Sequence, residues 1–106
     1  INPKLSTIEL YKQLLHVFGI IGYRHRSYMD AREYQAFISS RMPYTRDQFM
    51  FISEKFLEAR YSSHEIKIED AQNVAREYNR IIDSINRQLL FREKLSLRAK
   101  FPFQKV

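Results

Sequence analysis

Apolar positions recur along this chain at steps of three and four, interrupted by three polar or turn-forming breaks, the pattern of four successive amphipathic helices. In the first, Ile8, Tyr11, Leu15 and Phe18 make one apolar row and Leu10, Leu14, Val17 and Ile21 a second. Glu9, Lys12, Gln13 and His16 fall on a single polar stripe. A helix apolar over most of its circumference is expected at the centre of its domain. Ser6-Thr7-Ile8-Glu9 has the form of a capping box and Gly22 that of a left-handed terminator, which predicts a helix from Thr7 to Ile21.

Asp30-Ala31-Arg32-Glu33 repeats the capping pattern, with Tyr34, Phe37 and Ile38 as the buried face of a second helix, Ala31 to Arg41, stopped by Pro43. A third cap, Thr45-Arg46-Asp47-Gln48, opens a helix from Arg46 to Tyr61. Phe49, Ile52, Phe56 and Ala59 step along its inner face, with Met50 and Leu57 beside them. The fourth helix, Ile68 to Arg98, carries the most regular spacing: Ile68, Ala71, Ala75, Tyr78, Ile82, Ile85 and Leu89, with Val74 and Ile81 widening the stripe. That seam could join two chains, but its width favours packing inside one bundle. Oligomeric state stays open.

Composition narrows this to a single all-α helical bundle. The chain has 106 residues, 44% of them hydrophobic, with only 2 glycines and 3 prolines to make turns. The core is expected over residues 6–90, followed by a basic aromatic tail at 91–106. No cysteine is present, which removes disulfides, cysteine-bound zinc and a thiol nucleophile from this segment. The longest nearly apolar run, Leu14 to Tyr23, is short of the ~20 residues that span a bilayer. A start at Ile1 without a leader pattern reads as a segment of a longer protein.

The net charge of +6 suits an acidic partner, and its placement matters more than its sign. Arg24-His25-Arg26 forms a basic turn. After Phe91, Arg92, Lys94, Arg98, Lys100 and Lys105 face only Glu93. Arg24, His25, Arg26, Arg92, Lys94, Arg98 and Lys100 are therefore the expected contacts to an anion or a membrane surface. Nucleic acid is the alternative partner. Against a helix-turn-helix reading, the outer face of the third helix offers, apart from Arg46 and Lys55, Asp47, Ser53, Glu54 and Glu58, where phosphates and base edges call for cations and amides.

Chemistry-bearing motifs are scarce. His16, His25 and His64 show no metal-ligand spacing, there is no glycine-rich phosphate loop, and the carboxylates are explained as caps or wet faces. No catalytic residue, metal or cofactor is expected. Arg60 is the exception to a bland surface, because it lies four residues past Phe56 and eight past Ile52, on the apolar stripe. Either it snorkels beside the helix end, or it is partly buried and paired with Glu33 or Asp70 while Tyr61 packs over the joint.

Leu10-Tyr11-Lys12-Gln13-Leu14-Leu15, Gly22-Tyr23, Asp30-Ala31-Arg32-Glu33-Tyr34 and Phe56-Leu57-Glu58-Ala59-Arg60-Tyr61-Ser62 together resemble the domain of unknown function at the C-terminus of bacterial and archaeal transglutaminase-like membrane proteins. The resemblance covers residues 8 to 85. Asp30-Ala31 stands where that family usually has Thr-Pro, and Phe56 where it usually has tyrosine. It marks Glu33, Tyr34, Arg60 and Tyr61 as structural signature residues and implies a non-catalytic domain of interaction or regulation on the cytoplasmic side of the plasma membrane. It names no protein partner, and any transglutaminase-like core would lie upstream. On this view Arg60 ties the third helix to the second or fourth and Tyr61 closes the seam.

Overall fold

The computed structural model describes residues 2–100, with side chains through residue 90. It is an all-α bundle: α1 (Pro3–Ile20), α2 (Ala31–Arg41), α3 (Arg46–Tyr61) and α4 (Ile68–Lys100), with a 3₁₀ turn at Pro43–Thr45 before α3. Among the described residues there is no strand. The aromatic tail, including Phe101 and Phe103, lies outside the described residues.

α1 begins a turn earlier than its capping-box pattern predicts. Asn2 is the cap, its side chain accepting from the Leu5 amide at 3.2 Å, and Pro3 supplies a first-turn residue that has no amide to satisfy. Ser6 and Thr7 are therefore helical, and Thr7 is fully buried with its hydroxyl donating to the Pro3 carbonyl at 2.8 Å. The other end is as expected. Gly22 has φ +104°, and the amides of Gly22 and Tyr23 donate to the carbonyls of Gly19 and Phe18 at 3.1 and 2.8 Å. Those paired bonds form a Schellman motif, a conformation that a side chain at Gly22 would strain.

At α2 the capping box is complete: the Glu33 amide donates to Asp30 at 2.8 Å, and the Asp30 amide donates back to Glu33 at 3.3 Å. The matching expectation for Thr45 fails. Its hydroxyl donates instead to the Met42 carbonyl at 2.8 Å and is buried, because the 3₁₀ turn already leads the chain into α3.

The bundle's hub is α3 rather than α1. It packs against α1, α2 and α4, whereas α1 packs against α3 and α4. The reason is aromatic. Fully buried Phe49 meets Phe18 edge-on at 5.0 Å and Tyr34 edge-on at 6.0 Å, and lies 6.1 Å from the ring of Tyr11. Burying one such ring contributes about 1.5 to 3 kcal/mol before packing specificity is counted. Tyr34 is fully buried and donates to the Tyr23 carbonyl at 2.6 Å, tying α2 to the turn that follows α1.

α4 inserts a different midline from the one its heptads suggest. Ala71, Val74, Ile81 and Ile85 are buried, while Ile68 is 51% and Leu89 43% exposed. The physical cause is that a straight helix of about 3.6 residues per turn drifts from a 3.5-residue seam. Packed between α1 and α3, α4 turns Val74 and Ile81 inward. Ile66, in the preceding loop, is also buried, a contribution that no periodicity announces.

Candidate functional site

Arg60 and Tyr61 do not make the joint expected of them. Arg60 is exposed and has no ion pair or hydrogen bond among the described residues, and Tyr61 is 75% exposed. Helix geometry accounts for this. Seven residues past Ile52 lies Ala59, about 20° off its direction and buried, whereas Arg60 at eight residues is about 80° away. The small side chain at position 59 faces inward and the cation turns out. Glu33 is occupied in its capping box, and Asp70 pairs with another residue.

The joint between α3 and α4 is built from Lys55, whose Nζ lies 3.2 Å from Glu58 Oε2 and 3.3 Å from Asp70 Oδ2. Partial burial works against the Lys55 charge, but hydrogen bonds to Glu58 and Asp70 outweigh it and raise the pKa. Glu58 also accepts from His64 Nε2 at 2.8 Å, and its carboxyl is held below the usual range by the His64 bond first and by Lys55 second. Lys4 completes this end by donating to the Ser62 carbonyl at 3.1 Å, which satisfies one of the last acceptors of α3.

Within this cluster Ser62 Oγ meets His64 Nδ1 while His64 Nε2 meets Glu58, so hydroxyl, imidazole and carboxylate follow one another as in a hydrolytic triad. Sequence reasoning did not assemble it, although the spacing Glu58, Ser62, His64 was available. Two features distinguish it from a nucleophilic centre. The His64 side chain is 64% exposed. The hydroxyl also sits at the C-terminal end of α3, where carbonyl oxygens and the negative end of the dipole oppose a developing oxyanion. Ser62 Oγ also accepts from the His64 amide at 3.2 Å, the pattern of a local turn.

What Arg60 and Tyr61 do border is a cleft of about 530 Å³ between α1, the start of α2 and the end of α3. Tyr11 and Phe56 line it as a stacked pair with centroids 3.9 Å apart, joined by Leu15, Leu57 and Met29. Lys12, Arg32 and Arg60 stand around it, all exposed and without an ion pair among the described residues, and Asp30 contributes one carboxylate. Tyr11 is only 4% exposed, and its hydroxyl has no hydrogen-bond partner among the described residues. Burial, assisted by the Asp30 carboxylate, pushes its pKa up to about 12, so the hydroxyl remains a donor.

The other expected contacts separate. Arg24 and Arg26 are exposed, as an anion contact requires. His25 is instead a brace, half-buried, its Nε2 donating to the Met29 carbonyl at 2.8 Å and its ring edge-on to Tyr34 at 5.0 Å. The side chains of Arg92, Lys94, Arg98 and Lys100 lie outside the described residues. Among the described residues there is no group of three or more histidines and carboxylates able to hold a metal, and no helix long and apolar enough to cross a membrane. Comparison with models of known families, with curated proteins and with solved structures finds no match.

Proposed function

We propose that the chain is a non-catalytic interaction domain, of the kind found at the C-terminus of bacterial transglutaminase-like membrane proteins, lying at the cytoplasmic face of the plasma membrane against anionic lipid. One observation carries this reading: α4 outruns the bundle that holds it. Among its described side chains the last buried one is Ile85, the next five are exposed with Leu89 at 43% and Leu90 at 58%, and the helical backbone continues to Lys100. Over that extension the sequence mixes Arg92, Lys94, Arg98 and Lys100 with Phe91, Leu95 and Leu97. A basic helix segment that mixes cations with apolar residues suits an anionic interface, where each cation near the surface contributes about 1 kcal/mol. The exposed Arg24 and Arg26 add a second basic contact.

Co-sedimentation with vesicles tests it. At low salt the chain should be retained by phosphatidylcholine vesicles containing about a third phosphatidylserine, released by salt, and not retained by phosphatidylcholine alone. Truncation after Gln88 should leave the bundle folded and abolish retention. No retention at low salt rules the reading out, and tighter, salt-dependent binding of arbitrary duplex DNA would favour the nucleic-acid alternative.

A further inference from the structure

The cleft between α1, α2 and α3 has features that packing alone does not require. Three cations, Lys12, Arg32 and Arg60, border one apolar hollow without an ion pair among the described residues, whereas Lys55 and Arg80 are paired with carboxylates. Like charges gathered around a low-dielectric wall raise the local positive potential and concentrate anions there. The N-terminus of α2 forms part of the wall through Asp30, Ala31 and Arg32. In the capping box only the Glu33 amide is taken by the Asp30 side chain, which leaves first-turn amides of this 11-residue helix available.

The independent indication is Tyr11. Tyr11 is 4% exposed as a residue and its hydroxyl has no partner among the described residues, so the hydroxyl is free to donate to an acceptor seated in the cleft. Beside it the stacked faces of Tyr11 and Phe56, with Leu15 and Met29, offer an apolar surface for a flat group. The volume of about 530 Å³ lies within the range of small-molecule sites.

We propose that this cleft binds a small anion carried on a flat apolar body, in the class of aryl phosphates and aryl carboxylates. The ring lies against Tyr11 and Phe56, and the anionic group takes hydrogen bonds from the Tyr11 hydroxyl and the start of α2 within reach of Arg32 and Arg60. Asp30 sets the orientation by repelling the anion from its own side of the wall. The site is separate from the α4 extension, so the lipid reading can fail without affecting it, and the converse holds.

The test is titration of the intact chain by amide NMR and calorimetry with three probes: phenyl phosphate, inorganic phosphate and benzyl alcohol. Phenyl phosphate should bind at least about tenfold more tightly than either other probe and shift amides of residues 11, 31, 32, 56 and 60. Replacing Arg32→Gln and Arg60→Gln together should weaken it about tenfold or more, and Tyr11→Phe by a few-fold, with folding checked by circular dichroism. Arg24→Gln with Arg26→Gln should leave it unchanged. Equal affinity for inorganic phosphate, or equal loss when Arg24 and Arg26 are replaced, would show general surface electrostatics and overturn the proposal. Equal affinity for benzyl alcohol, or binding indifferent to Arg32 and Arg60, would overturn it too.

Discussion

The two ends of α3 are held by opposite physics. Around Phe49 the helix is fixed by buried rings from α1 and α2. Around Glu58 it is fixed by Lys55, His64 and Asp70, with side chains 21% to 64% exposed. Desolvated contacts are nearly indifferent to salt and, below the range where phenols ionise, to pH, while half-exposed charges are screened and titrate. One helix can therefore be rigidly placed at one end and adjustable at the other. The adjustable end is the one that carries Arg60 and Tyr61 beside the cleft.

The largest test of that contrast is Phe49→Ala, which should cost about 3 to 5 kcal/mol in denaturant unfolding, unchanged between low and high salt. A loss below about 1 kcal/mol would mean the aromatic hub is not where the bundle's stability resides.

Alkaline pH comes next. The Tyr11 pKa is raised from 10.0 to about 12, and that of Tyr34 is raised further by burial and by Tyr11. The unfolded chain then ionises these phenols first, so their contribution is intact below about pH 10 and is lost as pH climbs towards 12. Lys55, also raised, loses its contribution in the same direction. Thermal melts between pH 9 and pH 12 should fall, and absorbance of phenolate should appear together with unfolding. Phenolate appearing at the ordinary pH in the folded chain would contradict the buried placement of both rings.

Lys55→Ala should cost about 1 kcal/mol or less at low salt, shrinking as salt is added. It also removes one support of the depressed Glu58 carboxyl. A lowered folded pKa contributes stability that is present above the unfolded carboxylate value and lost as pH falls through the folded one, so the wild type should lose stability on acidification. The variant should show a shallower acid slope.

Arg60→Leu should be the smallest, within about 0.5 kcal/mol, since the side chain is exposed and unpaired among the described residues. A cost of several kcal/mol would restore the buried joint that its spacing suggests.

How much was written in the chain can be judged from single residues. Asp30 with Glu33 and Gly22 act through their immediate neighbours, so their caps follow from local sequence. Ser6 and Thr45 offered equally good local signals and were overridden, the first by Asn2-Pro3 upstream and the second by a turn that buried its hydroxyl. The Tyr11–Phe56 cleft was not legible at all, since it requires three helices to meet.

By itself, then, the sequence determined four helices, their polar stripes and most of their ends, because backbone hydrogen bonding and apolar periodicity act within a few residues. Tertiary structure alone decided that α3 is the hub, that Val74 and Ile81 join Ala71 and Ile85 as the inward line of α4 while Ile68 and Leu89 stay exposed, and that Asp70 pairs with Lys55. These depend on the rotation of one helix against another. The offset of about 80° between Ile52 and Arg60 belongs to α3 itself, but only the neighbouring helices decide that this direction is the rim of a cleft.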